Sequence, residues 1–141
     1  VTISGPNTSI DMGYFGFYRL RRQIAYLLSK DIGVHYEETA KPHFFQDKET
    51  EEKFWKEYDE LTDWLTTTIP KNKKKTMNFL YSTDVEGSVA YGTCKHILNA
   101  IGDYDDDVIY GYVGRPDRAM FKDFKNVLMD CAKSKKPMKW Y

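Results

Sequence analysis

Long apolar runs, cysteine clusters and a net charge are what this sequence lacks, and each absence excludes a class of protein. Its 141 residues include two cysteines, Cys94 and Cys131, which make no disulfide framework and read as reduced thiols. No apolar stretch approaches the roughly 18–20 residues that span a bilayer, so no membrane contact is expected. The opening Val1-Thr2-Ile3-Ser4-Gly5-Pro6 has no basic segment followed by an apolar one. It reads as the start of a cytoplasmic chain without a signal peptide, its small first residue fitting loss of an initiator Met. Lys and Arg total 21, and so do Asp and Glu. A balance of zero excludes a polycationic nucleic-acid coat and a polyanionic disordered tail, so direct nucleic-acid binding is not expected. Phosphate-binding glycine loops, H-E-x-x-H and G-x-S-x-G are also missing, and no motif argues for an enzyme or a cofactor.

The charge that is present lies in blocks. Residues 1–30 carry four bases and one acid, 31–70 four bases and eleven acids, and 71–75 four lysines. Residues 76–117 carry two bases and seven acids, and 118–141 seven bases and two acids. Such a mosaic either directs binding electrostatically or forms solvated helix faces that neutralise one another.

Hydrophobic spacing predicts a mainly α chain, about four helices with minor β structure, in a single domain over residues 1–141. From Tyr14 to about Lys30, Phe17, Leu20, Ile24, Leu27 and Leu28 recur on one helical face, with Asp11 as candidate cap and Gly33 as a left-handed stop. Gly13 and Gly16 in the first turn point to a late start or a close-packing surface. Residues 34–46 lack a clean period and read as an ordered loop with room for a short strand. A second helix, from about Lys48 to Thr67, carries Phe54, Tyr58, Leu61 and Leu65 on one stripe, widened by Trp55 and Trp64. Asp47 is its candidate N-cap and Pro70 lies past its end. Residues 71–75 read as a solvated connector, 77–81 as a short strand and 84–87 as a turn. A third helix covers about Ala90 to Ile101, followed by Gly102. The last runs from about Asp117, capping just after Pro116, to Lys135, and residues 138–141 suit a terminal strand.

Few groups of residues carry chemistry. The acids of 103–107 invite a hard cation, but adjacent carboxylates on a loop point apart, and no metal is assigned. Ser82-x-Asp84-x-Glu86-Gly87 imitates the front of a calcium loop, yet Ser82 stands at its first position and Thr93 at its twelfth, which leaves turn chemistry. His35, His43 and His96 lack zinc spacing, and Cys94 and Cys131 fall on apolar stripes, where small thiols are core. Arg19, Arg21 and Arg22 are more suggestive. Arg19 and Arg22 share one side of the helix while Arg21 lies elsewhere, and guanidiniums suit phosphate or carboxylate. Arg19 and Arg22, with Tyr18 and Asp84, are therefore candidate ligand-binding residues for an anionic small molecule. Alternatively they pair with acids of 49–63 or 103–107 and dock helices. Aromatic residues make up 16% of the chain, and Tyr36, Phe44, Phe45, Tyr104, Tyr110 and Tyr112 lie off the helical stripes, where they suit a pocket or an interface.

The order Gly16-Phe17-Tyr18-Arg19-Leu20-Arg21, then Tyr81-Ser82-Thr83-Asp84-Val85-Glu86-Gly87 with Cys94 seven residues on and a helix ending near Cys131, resembles a loose family. Its members are small uncharacterised proteins of bacteria and their phages. They have His where this chain has Tyr18, and Cys and Asp where it has Val85 and Glu86. The resemblance covers the first helix and the second half. It implies a phage or prophage origin, in which such proteins block a host component or sequester a small molecule. The leading expectation is a non-enzymatic cytosolic protein binding a host macromolecule through charged and aromatic surface. Tyr104, Asp105, Asp106, Asp107 and Tyr110, with the acids of 47–63, would face a basic site. The alternatives are sequestration of a nucleotide or other anion by Arg19 and Arg22, and a metal-dependent hydrolase built on Asp84, the 103–107 acids or Cys94 with His96.

Overall fold

The structure, a computed structural model, describes residues 1–111 and 119–141. The chain is mainly helical with a minor sheet. Strands β1 (Thr2–Ser4) and β2 (Ser9–Asp11) precede α1 (Tyr14–Leu28), α2 (Lys30–Ala40), α3 (Lys48–Thr68) and α4 (Lys71–Leu80). Then come β3 (Gly87–Val89), α5 (Tyr91–Ile101), α6 (Phe121–Ser134) and β4 (Met138–Trp140). The sheet runs β2-β1-β4-β3 with antiparallel pairing throughout, Ile3 opposite both Ile10 and Trp140, and Gly87 opposite Trp140. Asp130 of α6 clamps the β1–β2 turn by accepting from the Asn7 backbone N–H (2.8 Å), the Asn7 amide (3.0 Å) and the Thr8 hydroxyl (2.8 Å).

Among the described residues six helices replace the expected four, and the two extra ones have physical causes. At Ser29 the chain leaves the helical conformation, and the Ser29 hydroxyl accepts from the Ile32 N–H at 3.1 Å. That cap starts α2 within one residue of the end of α1, so the region expected as an irregular loop is helical to Ala40. Gly33 does not stop α1. It lies inside α2, where a Cβ would stand 2.4 Å from the Tyr26 ring, so its role is close helix packing. Pro70 ends α3 and also opens α4, because a helix start leaves its first N–H groups unbonded anyway. The lysines of 71–75 are thus the first turns of α4 rather than a connector, and 77–81 is helix to Leu80 rather than strand. Lys73 helps explain this placement, since its ammonium donates to the carbonyl of Leu28 (3.2 Å) at the end of α1. Asp11 belongs to β2 and takes the Thr2 hydroxyl, while α1 starts from Gly13 without a side-chain cap.

Helices α1, α3, α5 and α6 and strand β4 follow the sequence pattern, while β1, β2 and β3 are not expected from it. Asp47 caps α3 by accepting from Thr50 N–H at 2.7 Å, Gly102 ends α5 at φ +58°, and β4 forms. Helix α6 begins at Phe121 rather than near Asp117, with Asp123 accepting the Met120 N–H at 2.8 Å, and Asp117 itself lies outside the described residues. Buried side chains from every element but β3 form one cluster, to which α3 contributes Leu65 alone. At its centre Phe79 meets Phe17 (6.2 Å between ring centroids), Phe124 (6.0 Å) and Trp140 (5.6 Å). Each such ring contributes about 1.5–3 kcal/mol by leaving water. Gly16 of α1 lets the 103–111 loop close over this core, since a Cβ there would stand 1.9 Å from the Tyr110 carbonyl oxygen.

Candidate functional site

The strongest polar anomaly in this core is Arg21. It sits on α1 four residues after Phe17 and four before Ala25, on the apolar face, and is 3% exposed. Its Nη1 donates to the carbonyls of Ser82 (2.7 Å) and Leu80 (3.5 Å), and Nη2 to that of Thr83 (3.1 Å). These oxygens lie at and just past the C-terminal end of α4, the negative end of its dipole, where a cation is favoured. The Phe17 ring lies 3.8 Å from the guanidinium carbon, with Phe79 and Trp140 beyond it. A guanidinium has five N–H donors. Three serve these carbonyls, the Tyr36 side chain also hydrogen-bonds the guanidinium, and Nε is buried without a partner. Arg21 forms no ion pair among the described residues. A buried charged group with an unmet donor is costly, on the order of 1–3 kcal/mol.

Beside this cation lies a cleft of about 280 Å³ lined by Tyr18, Arg21, Tyr36, Thr39, Tyr81 and the 82–84 turn. Tyr18 stacks on Tyr36 at 5.6 Å, and Tyr81 meets Tyr36 edge-on at 5.6 Å. Burial pushes the Tyr36 phenol up to about 12 although Arg21 opposes the shift, and burial also raises that of Tyr81, so both remain protonated near neutrality. Asp84 is exposed at the rim and interacts electrostatically with Arg21.

Tyr81 links the cleft to a second cavity of about 370 Å³ between α2, α3 and α4. His35 spans the wall, its Nδ1 2.7 Å from the Tyr81 hydroxyl and its Nε2 2.8 Å from the Thr62 hydroxyl. The Thr62 hydrogen goes to the Tyr58 carbonyl at 2.9 Å, so Thr62 accepts from His35 Nε2–H. Nδ1 is then the acceptor and Tyr81 donates to it. Burial lowers the His35 pKa, in keeping with a neutral ring.

Of the residues expected to bind ligand, Tyr18 and Asp84 line the cleft, and Arg19 and Arg22 do not. Arg19 lies over the rings of Phe15 (5.8 Å) and Tyr110 (5.6 Å). Arg22 faces Glu37 at 3.9 Å, an acid in neither of the blocks expected to pair with it, and the Tyr18 ring at 5.6 Å. The arginine in the cleft is Arg21, and its place on the Phe17–Ala25 stripe was the available signal. The loop residues are turned largely inward. Tyr104 and Tyr110 both donate to Asp106 (3.0 and 2.6 Å), Tyr110 is buried, and Asp106 also accepts from the Val108 N–H. Asp105 and Asp107 are exposed. Of the other off-stripe aromatics, Tyr36 lines the cleft, Phe44 is 91% exposed, and Tyr112 lies outside the described residues.

Cys94 and Cys131 are buried in the core, and burial pushes the Cys94 thiol up to about 12 and raises that of Cys131. Such thiols are poor nucleophiles. Among the described residues no group of three or more His, Cys, Asp or Glu is placed to hold a metal, and no helix is long and apolar enough to cross a membrane. A separate surface is offered by α3. Over its 21 residues only Leu65 is buried, and Glu51, Glu52, Asp59, Glu60 and Asp63 surround Trp55 on one face with Lys48 and Lys56. Comparison with protein-family models, curated proteins and solved structures finds no match to the chain.

Proposed function

We propose that this protein binds a small molecule carrying a carboxylate or phosphate group in the cleft beside Arg21. The observation that carries the proposal is the buried Arg21 guanidinium, whose Nε–H has no acceptor although the side chain lines an open cleft. Planar guanidinium donors suit the oxygens of either anion, and an anion there would satisfy the orphaned donor and offset the buried charge. The two segments that meet at the cleft, 16–21 and 81–87, are also those that carry the resemblance to small bacterial and phage proteins. A binding role rather than a catalytic one is supported by the side chains present. The phenols and thiols are held protonated, and both ring nitrogens of His35 are engaged. The two free thiols support a cytoplasmic setting.

The test is calorimetric titration with acetate and with inorganic phosphate, comparing the unaltered protein with Arg21→Lys. Lysine keeps the charge but loses the fork, so at least tenfold weaker binding is expected in the variant. Equal affinity in both proteins would refute the assignment.

A second reading, binding of a basic macromolecule, is favoured by the exposed acidic and aromatic face of α3. It is supported by the five carboxylates around Trp55, of which Glu52 alone has an ion pair among the described residues, with Lys48 at 4.0 Å. Titration with an oligolysine peptide should change tryptophan fluorescence, and salt should reverse the change. A flat titration would remove this reading.

A further inference from the structure

The cleft holds two opposite charges that do not meet. Arg21 is at its floor and Asp84 at its rim, and the two interact electrostatically without forming an ion pair within 4.0 Å. Asp84 accepts no hydrogen bond among the described residues and stays exposed to solvent. A simple anion seated on Arg21 would satisfy the buried donor, but it would also face the Asp84 carboxylate. A ligand with a cationic group at its other end meets both charges at once.

We infer that the ligand is a zwitterion of amino-acid size, its carboxylate on Arg21 and its ammonium toward Asp84. This rests on the proposal that the cleft binds an anionic group. The size follows from the volume. A cleft of about 280 Å³ stands at the small end of ligand pockets, which suits a molecule of amino-acid size. The walls select further, because the stacked rings of Tyr18 and Tyr36 offer an apolar flank to a side chain. The donor that the carboxylate would satisfy, Arg21 Nε–H, is itself buried.

The test separates the two charges of the ligand. L-phenylalanine, 3-phenylpropionate, which lacks the ammonium, and phenethylamine, which lacks the carboxylate, are titrated into the intact protein and into Asp84→Asn. Asp84 is exposed, so the substitution spares the core. In the unaltered protein L-phenylalanine should bind at least tenfold more tightly than either partial ligand. In Asp84→Asn that advantage over 3-phenylpropionate should vanish, with 3-phenylpropionate itself gaining affinity. If 3-phenylpropionate matches L-phenylalanine in the unaltered protein, or if Asp84→Asn leaves the preference intact, the zwitterion assignment fails while the anion site stands. If 3-phenylpropionate, acetate and phosphate all fail to bind, the anion site itself falls and this inference with it.

Discussion

Helices α1 and α3 carry the same apolar spacing and meet opposite fates. In α1, seven of 15 residues are buried, and in α3 one of 21, Leu65. The difference lies in what surrounds each helix. Phe17, Leu20, Ile24 and Leu28 have α2, α4, α5 and the sheet to pack against. The first half of α3 packs mainly on its own neighbourhood, where Phe54 meets His43 (4.6 Å), Phe45 (5.3 Å) and Trp55 (5.1 Å). Its N-terminus is held by the Asp47 cap and by Glu49 and Glu51 at the positive end of the dipole. Periodicity therefore reports a helix and a face, and neighbours decide whether that face is core. The same contrast explains why the proposed ligand site lies on α1. A buried face can hold a charge out of water, as it does Arg21, and an exposed face cannot.

The contrast is broken most forcefully at Phe17, which lies under Arg21 and against Phe79 and Trp140. Phe17→Ala should cost about 3–5 kcal/mol in urea denaturation, through lost burial and an unfilled cavity. A loss under 1 kcal/mol would mean that α1 is not the core helix described.

A smaller effect is expected at His35, which joins the two regions by bonding Tyr81 beside the cleft and Thr62 on α3. Burial depresses its pKa in the fold, so the unfolded chain binds the proton more readily. The contribution of His35 is fully present above the unfolded value of about 6.5 and is lost as pH falls through the lower folded value. Urea midpoints measured from pH 7.5 to 5 should fall on acidification in the unaltered protein. His35→Gln should flatten that slope, and an unchanged slope would remove the neutral-ring assignment.

The smallest effect is expected at Trp64, half-exposed on α3. Trp64→Ala should change stability by no more than about 0.5 kcal/mol, as surface substitutions do. A cost near that of Phe17→Ala would show that α3 is packed far more tightly than described.

Much of the fold was legible in sequence where one signal sufficed. The stripes of α1, α3, α5 and α6 have the helical period, Asp47 and Gly102 mark ends, and Pro137 separates α6 from β4. Helix α2 was hidden because its buried face is Ile32, Gly33, His35 and Tyr36, a set too polar and too small to read as a stripe. In α4 the buried residues Thr76, Phe79 and Leu80 sit at its end, behind lysines that read as linker. Strands β1 and β2 have three residues each, too few to show alternation. Of the site, Tyr18 and Asp84 were legible as candidates. Arg21 was legible only as a position on the Phe17–Ala25 stripe, because the α4 carbonyls that receive its guanidinium come from 59 to 62 residues away.

The central claim is that the Arg21 guanidinium keeps a donor free for an incoming oxyanion. The direct measurement is the NMR resonance of Arg21 Nε–H, followed in the free protein and on titration with acetate. A sealed, unbonded Nε–H should give a slowly exchanging peak that moves downfield and saturates as acetate binds. A peak that stays in place while acetate saturates, or an Nε–H that exchanges as freely as those of Arg19 and Arg22, would contradict the account.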